Sequence, residues 1–380
     1  MSKPDREFQV FAKPAGAECN LSCSYCYYIR NSLPVKNRKI SLMSNDMLER
    51  YIIQQIEATG GSIITFSWHG GEPTLAGLDF FRKAVKIQKR FKPADRTILN
   101  GIQTNATLLN DEWCEFLMCE GFIAGVSIDG PEYLHDKFRI SGDKRGSFSN
   151  TLNGYELLKK HSVHTELLTV VNALNVKYPD EVYKFLKSLG SEFITFLPLV
   201  VRDPGSGSGA ASLSTASDAF GTFLVTVFDE WVTRDIGTVK IQIIEEAARI
   251  AFNQAHTLCI FKKTCGGVPV VEHNGDFYSC DHFVDKDHLV GNISEVTLSE
   301  MLDSEMQKAF GLAKFKTLPQ FCLDCEVLEM CNGECPKNRF IRTPSGEEGL
   351  NYLCEGYRKF FNHIRPFVDA ISEVWRKKKI

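Results

Sequence analysis

No stretch of this sequence approaches the roughly 18 consecutive apolar residues that a membrane-spanning helix requires, so no membrane partner is expected. Neither charge is in excess. Lys and Arg total 44 against 47 Asp and Glu, a formal net charge of −3, which argues against the basic domain of a nucleic-acid binder. The first residues lack the charged, apolar and small-residue regions of a secretory signal, so a cytoplasmic location is expected. Composition is otherwise that of an ordinary globular protein, 43% hydrophobic and 24% charged. At 380 residues the chain is long enough for two domains, or for one barrel with an appendage. What it has in quantity is cysteine, thirteen in all. Disulfides are disfavoured in a reducing compartment, so metal or redox chemistry is the better account of them.

Their placement supports that account. Three lie within residues 19–26 and eight between 259 and 354. Cys114 and Cys119 stand apart in an expected helix, five residues from one another and so on different faces, and read as small core residues. Cys19, Cys23 and Cys26 form a C-x3-C-x2-C loop after a strand-like run, Phe8–Lys13. Three thiolates on one tight loop can hold three corners of a cubane iron–sulfur cluster and leave one iron open to a small molecule. Spacing alone also allows half of a zinc site completed elsewhere in the chain.

From Phe8 to about residue 200, short β-rich runs alternate with amphipathic segments. Strands are expected at Phe8–Lys13, Ile63–Trp68, Thr97–Gln103, Ala124–Ile128, Glu166–Asn172 and Phe193–Pro198. Helices are expected after Ser44-Asn45 and over Leu78–Phe91, Asp111–Glu120, Ser149–His161 and Tyr178–Leu189. Six strand–helix repeats indicate a parallel sheet, either doubly wound or an incomplete barrel, with its ligand at the carboxyl ends of the strands. Asp203–Ser217 reads as a loop, and Phe220–Thr233 and Ile241–Gln254 as helices. Val268–Glu272 and Phe277–Cys280 flank Asn274-Gly275, a pairing that favours a hairpin with a type I′ turn. Leu298–Phe310 and a final segment from about Glu355 to Lys377 read as helical.

Several polar groups fall at strand ends. His69-Gly70-Gly71-Glu72-Pro73 follows the second expected strand, where paired glycines let backbone approach a ligand without an intervening Cβ. Gln103-Thr104-Asn105 ends the third and Ser127 and Asp129 the fourth, positions suited to a site or to a turn. Arg139 offers a planar fork for a carboxylate or, equally, a surface ion pair. Cys259, Cys265, Cys280, Cys322, Cys325, Cys331, Cys335 and Cys354 divide naturally into two sites of four, although Cys322–Cys335 alone would pass for a zinc knuckle. Asp281, directly after Cys280, is either a solvated turn residue or a general base.

The three-cysteine loop with the His-Gly-Gly-Glu-Pro run, Gln103-Thr104-Asn105 and Ser127-x-Asp129-Gly130 resembles the radical S-adenosylmethionine (SAM) superfamily. The eight later cysteines resemble its SPASM domain. Together with Tyr278-Ser279-Cys280-Asp281-His282-Phe283, the Cys331–Phe340 block and Asn351-Tyr352-Leu353-Cys354, the whole chain from about Phe8 to Phe361 resembles the anaerobic sulfatase-maturating enzymes. The resemblance implies an α/β fold, a partial (β/α)6 radical SAM barrel over residues 1–235. A C-terminal SPASM domain over 236–380 would carry two auxiliary iron–sulfur clusters.

It also implies three [4Fe–4S] clusters and SAM as cofactors. Cys19, Cys23 and Cys26 would hold the SAM-binding cluster. An interleaved pattern would give Cys259, Cys265, Cys280 and Cys335 to one auxiliary cluster, and Cys322, Cys325, Cys331 and Cys354 to the other. Tyr25, Gly70, Gly71, Glu72, Ser127, Arg139 and Val200 would line the SAM site, and Asp281 would take a proton from the substrate. The implied reaction is removal of a hydrogen from Cβ of a cysteine or serine in a C/S-x-P/A-x-R segment of an unfolded sulfatase polypeptide, giving Cα-formylglycine. A low-potential electron donor such as ferredoxin or flavodoxin is implied. Two positions vary from the pattern: Ala106 replaces a usual glycine, and His69 stands where some members carry Gln. The alternatives are another radical SAM–SPASM peptide modifier, such as one forming thioether crosslinks, or a non-catalytic metal or electron-transfer protein. Against the first, a strand beginning near residue 8 leaves no room for a leader-binding domain.

Overall fold

The computed structural model describes residues 8–28 and 41–378. Its strands in chain order are β1 (Phe11–Ala12), β2 (Ile63–Trp68), β3 (Thr97–Thr104), β4 (Ile123–Ser127), β5 (His164–Val171), β6 (Phe193–Pro198), β7 (Lys240–Ile241), β8 (Val270–Val271), β9 (Asp276–Tyr278) and β10 (Leu289–Asn292). Contacts gather the chain into two compact units, neither continuous in sequence. One takes in the chain up to Ser127, then Asp136–Thr165 and Gly266–Gly311. The other comprises Ile128–His135, Glu166–Cys265 and Leu312 onward.

In the first unit the strand order is β10-β9-β8-β1-β2-β3-β4. Parallel pairing joins β8, β1, β2, β3 and β4, as strand–helix alternation requires. Only two residues of β1 form a ladder, yet Gln9, Phe11 and Lys13 all donate amides to the 267–271 segment, so the expected extended run is present. Trp68 anchors the core beneath, meeting the rings of Tyr51 at 5.9 Å and Phe81 at 5.5 Å edge-on. Its indole N–H donates to Asn100, which exchanges two 2.9 Å bonds with Gln88, so this buried polar network is satisfied. The helices Asn45–Ala58 and Leu78–Phe91 cover this face, the former capped by the Ser44 hydroxyl.

The second unit holds β5-β6-β7, all parallel. Its helices Ser217–Arg234 and Cys354–Lys378 cross where Gly221 and Gly356 meet. A Cβ on Gly356 would lie 2.1 Å from the Ser217 carbonyl. Close backbone packing thus fixes the N-terminus of the last helix, and with it Cys354.

Buried Glu246 fixes the approach to Cys259 in a comparable way. It accepts from the Thr257 and Leu258 amides, the Thr257 hydroxyl and, at 3.0 Å, His256 Nδ1. Burial alone would raise its pKa, but these donors hold it below the ordinary value. A depressed folded pKa means the contribution is present above about pH 4.5 and is lost as pH falls through the lower folded value. Glu246→Gln should cost about 1.5–3 kcal/mol at neutral pH. It should also flatten the acid limb of a stability–pH curve measured by denaturant titration.

Four local expectations need correction. The hairpin turn is not type I′, because only Gly275 has a positive φ (+89°) and Asn274 does not. Glu272 accepts from the Gly275 amide and donates to Asp276, the pattern of a turn closed by a glycine bulge. The helix expected over Leu298–Phe310 is two, Leu298–Asp303 and Glu305–Lys316. They break at Ser304, whose extended ψ of 150° and side-chain bond to the Gln307 amide restart the second. Ile241 belongs to β7, leaving a shorter helix, Gln242–Ala248. Cys119, expected with Cys114 to be a core residue, is exposed, while Cys114 is buried.

Candidate functional site

In the first unit the three-cysteine loop leaves the C-terminal end of β1, and two neighbours hold its backbone. The amides of Ser22 and Ser24 donate to Ile140 and Phe138 at 2.6 and 2.9 Å, and Leu21 bridges Ser141. Asn105 donates to Asn20 Oδ1 at 2.9 Å and to Cys19 Sγ at 3.7 Å, while Asn20 donates to Thr107. Burial pushes the Cys19 thiol up to about 12, and Cys23 and Cys26 lie near enough to add to that shift. The Cys19 thiol thus favours its neutral form, so cluster binding there would release its proton.

The glycine pair packs directly on this region. The Gly71 and Glu72 amides donate to the Gly16 and Glu18 carbonyls, and a Cβ on Gly71 would lie 2.0 Å from the latter. Gly70 has φ +113°, a conformation L side chains avoid. Glu72 is buried, with Oε1 accepting from Thr74 N, Thr74 Oγ1 and Thr104 Oγ1 and Oε2 from Asn105 N. Its carboxyl is thus a strut between the glycine run and the Gln103–Asn105 run. Ser127 accepts from Gln103 at 3.0 Å, and the Arg139 guanidinium lies 5.5 Å from the centre of the Tyr25 ring. Val200, buried, belongs to the second unit.

Ala106 occupies φ +61°, the backbone shape of the glycine it replaces. An L residue pays about 1–2 kcal/mol there and glycine loses about 0.5–1 kcal/mol in entropy. Ala106→Gly should therefore stabilise the protein by up to about 1 kcal/mol, read as a higher denaturation midpoint.

Asp281 proves to be the centre of a polar cluster. Lys13, 1% exposed, directly follows β1 and places Nζ 2.9 Å from Asp281 Oδ1 and 2.9 Å from Glu272 Oε1. Tyr28 donates to Asp281 at 2.7 Å, Tyr27 also donates to it, and Lys13 Nζ lies 4.4 Å from the Tyr28 ring centre. Burial acting alone would raise the Asp281 pKa. The Lys13 ammonium, the His69 and His282 imidazoles and the Tyr27 hydroxyl hold it well below the carboxylate range instead. Burial keeps both phenols protonated as donors. His69, stacked on Phe11 at 4.4 Å, reaches Tyr28 Oη at 3.5 Å, and burial lowers its pKa. Lys13, Glu18, Tyr27, Tyr28, Glu272 and Asp281 line a cavity of about 260 Å³. An ionised carboxylate thus faces a cavity with room for a side chain.

Sequence reasoning missed Lys13, Tyr27, Tyr28 and Glu272. The available signals were a lysine closing an apolar strand and two tyrosines directly after the third cysteine.

In the second unit, Cys322, Cys325, Cys331 and Cys354 line one small apolar cavity with Val327 and Tyr357. Burial raises all four thiols, Cys354 to about 12. Among the described residues no three His, Cys, Asp or Glu side chains close around a point as a single ion would need. Four soft thiol donors lining one small cavity fit a cluster with thiolates at its corners. Burial also pushes Cys259 up to about 11, with Lys314 acting against it and Cys265 adding to it. Lys314 itself is lowered by burial and raised by Cys265, Cys259, Glu334 and Cys335. Cys259, Cys265 and Cys335 thus share one cation, and Cys280 belongs to the first unit.

Comparison with known proteins gives consistent matches. The Radical SAM superfamily pattern matches residues 15–186, and an iron-sulfur cluster-binding domain, SPASM, matches 265–326. The chain is 43% identical over 377 residues to a serine-type anaerobic sulfatase-maturating enzyme of Bacteroides thetaiotaomicron, covering 96% of this chain and 91% of the relative. It is 31% identical to a cysteine-type anaerobic sulfatase-maturating enzyme of Clostridium novyi, covering 94% and 95%. A solved structure of native anSMEcpe with bound AdoMet and Cp18Cys peptide superposes with a TM-score of 0.86 at 28% identity, covering 96% of this chain and 99% of that one.

Proposed function

The chain belongs to the anaerobic sulfatase-maturating enzymes, radical SAM enzymes with a SPASM domain, and we propose that it oxidises a serine or cysteine of a sulfatase to Cα-formylglycine. The observation that carries this reading is Asp281, an ionised carboxylate facing a side-chain-sized cavity one residue after the thiol of Cys280. In this proposal Cys19, Cys23 and Cys26 hold the SAM-binding cluster. Cys259, Cys265, Cys280 and Cys335 hold one auxiliary cluster, and Cys322, Cys325, Cys331 and Cys354 the other. Tyr25, the Gly70–Glu72 run, Ser127, Arg139 and Val200 line the SAM site. The radical SAM core would occupy 1–235 and the auxiliary-cluster domain 236–380. When bound, the clusters and SAM supply a carbon radical that takes hydrogen from the substrate Cβ, and a sink for the second electron.

The protein's own residues supply the proton chemistry. Once that carbon has lost both the hydrogen atom and the second electron, its hydroxyl or thiol is the conjugate acid of an aldehyde or thioaldehyde, a strong acid, so even a carboxylate of low pKa can accept its proton. Asp281 is held ionised for that step, with Lys13, Tyr27 and Tyr28 fixing its oxygens. Lys13 keeps its second carboxylate partner, Glu272, when Asp281 becomes neutral, so no unpaired buried cation results. We place the substrate on the serine side, because serine-type relatives of Bacteroides thetaiotaomicron and Klebsiella aerogenes share 43% and 36% identity, against 31% for the cysteine-type relative of Clostridium novyi and 30% for one of Clostridium perfringens. We further propose a C/S-x-P/A-x-R target segment, met while unfolded in the cytoplasm under anaerobic conditions, and a ferredoxin- or flavodoxin-like electron donor.

Anaerobic incubation with SAM, a reductant and matched peptides carrying Ser or Cys tests this. Expected are 5′-deoxyadenosine and peptide aldehyde, with the serine peptide converted at least as fast. Nucleoside formation with both peptides unchanged would remove the sulfatase assignment and leave the enzyme class standing.

A further inference from the structure

Lys314 is 1% exposed. Its ammonium makes two hydrogen bonds, to the carbonyls of Cys259 at 2.9 Å and Ile260 at 2.7 Å, and forms no ion pair with a carboxylate among the described residues. A buried cation that ends only on carbonyls is costly unless a neighbouring anion compensates it. The groups that can become anionic around it are Glu334 and the thiols of Cys259, Cys265 and Cys335.

A second cation lies beside it. Arg339 donates to the Lys314 carbonyl and wraps the turn between Cys331 and Cys335, donating to the Asn332, Gly333 and Glu334 carbonyls at 3.1, 2.8 and 3.2 Å. Those three residues all have positive φ, +47°, +68° and +50°, so the turn is strained and the guanidinium clamps it. Arg339 acts on Cys322 and Cys331 as well as Cys265, so its charge is shared between the two thiol groups. The thiols that act most strongly on Lys314 are Cys265, Cys259 and Cys335.

We propose that Lys314 is the charge complement of the cluster held by Cys259, Cys265 and Cys335, and that it raises that cluster's reduction potential selectively. A fixed positive charge in a water-poor site stabilises the reduced cluster, which carries one more electron, over the oxidised one. Lys314 is a positioning and tuning residue that touches neither substrate nor SAM. Its effect would direct the electron released from the substrate to this cluster in preference to the one held by Cys322, Cys325, Cys331 and Cys354. The inference rests on the ligand assignment given under Proposed function.

The test is a potentiometric titration, followed by electron paramagnetic resonance, of reconstituted holoenzyme carrying Lys314→Met, Lys314→Gln or Lys314→Arg. Met removes charge and donor, Gln removes the charge and keeps a donor, and Arg keeps both. Both neutral variants should lower one midpoint so that, at the wild-type midpoint, the reduced-to-oxidised ratio falls at least tenfold, or about 59 mV for one electron. The other midpoints should stay in place, and Arg should restore the wild-type value. Loss of the cluster in both neutral variants with retention in Lys314→Arg would equally support charge compensation. Unmoved midpoints in fully loaded neutral variants, or cluster loss in all three, would overturn the proposal. Iron and sulfide analysis of Cys335→Ala separates this from the ligand assignment. Full iron there would overturn the assignment, whereas loss of about a third with unmoved midpoints in Lys314→Met would overturn the tuning alone.

Discussion

Asp281→Asn should lower peptide oxidation by about 10²–10⁴-fold, the usual worth of a positioned general base, while cleavage of SAM to 5′-deoxyadenosine continues. The amide keeps the size of the carboxyl and one acceptor oxygen for Tyr28, but it cannot take a proton. Lys13 would retain Glu272 at 2.9 Å, so the variant loses one ion pair of a triad rather than stranding a buried charge. The fold should therefore survive, and the deficit should appear in the ratio of aldehyde to 5′-deoxyadenosine. Parallel quantification of the two products makes the distinction. If both fell together, Asp281 would belong to SAM binding or to cluster support and the base role would be lost.

The second large effect separates the two bodies of cysteines. Cys23→Ala should abolish 5′-deoxyadenosine formation and remove about a third of the iron, since one of three clusters loses a corner. Cys331→Ala should remove a similar share of iron from the other end of the chain. Cys331 shares one cavity wall with Cys322, Cys325 and Cys354, so losing it opens that site alone. SAM cleavage should persist there while peptide oxidation falls. The measurements are iron and sulfide per chain and product formation by chromatography. Full iron in Cys331→Ala would mean that this cavity holds no cluster.

Much of the architecture was legible from pattern. Ile63–Trp68, Leu78–Phe91 and Phe193–Pro198 occur at the expected boundaries, because alternation and helical periodicity report directly on which face is buried. Turns were read less well. The hairpin at Asn274-Gly275 takes a glycine bulge, and the break at Ser304 depends on a side-chain bond to Gln307 that no propensity reports. The backbone at Ala106 illustrates tertiary override. An alanine holds a left-handed φ there beside Gly154, where a Cβ would come 2.1 Å from the Ala106 carbonyl.

The chemistry divides along the same line. Sequence alone determined which atoms were available: three thiols at C-x3-C-x2-C, eight more towards the C-terminus, and an acid next to Cys280. Residue type and local spacing suffice for that, because donor softness and loop reach are local properties. Only the tertiary structure decided what surrounds Asp281. Lys13 stands 268 positions away in the chain and reaches it because β8 pairs in parallel with β1, carrying the Glu272–Asp281 hairpin to the end of the first strand. The charge state of a buried carboxylate is set by whatever lies within a few ångströms of it, and that neighbourhood is made by strand pairing across the whole chain.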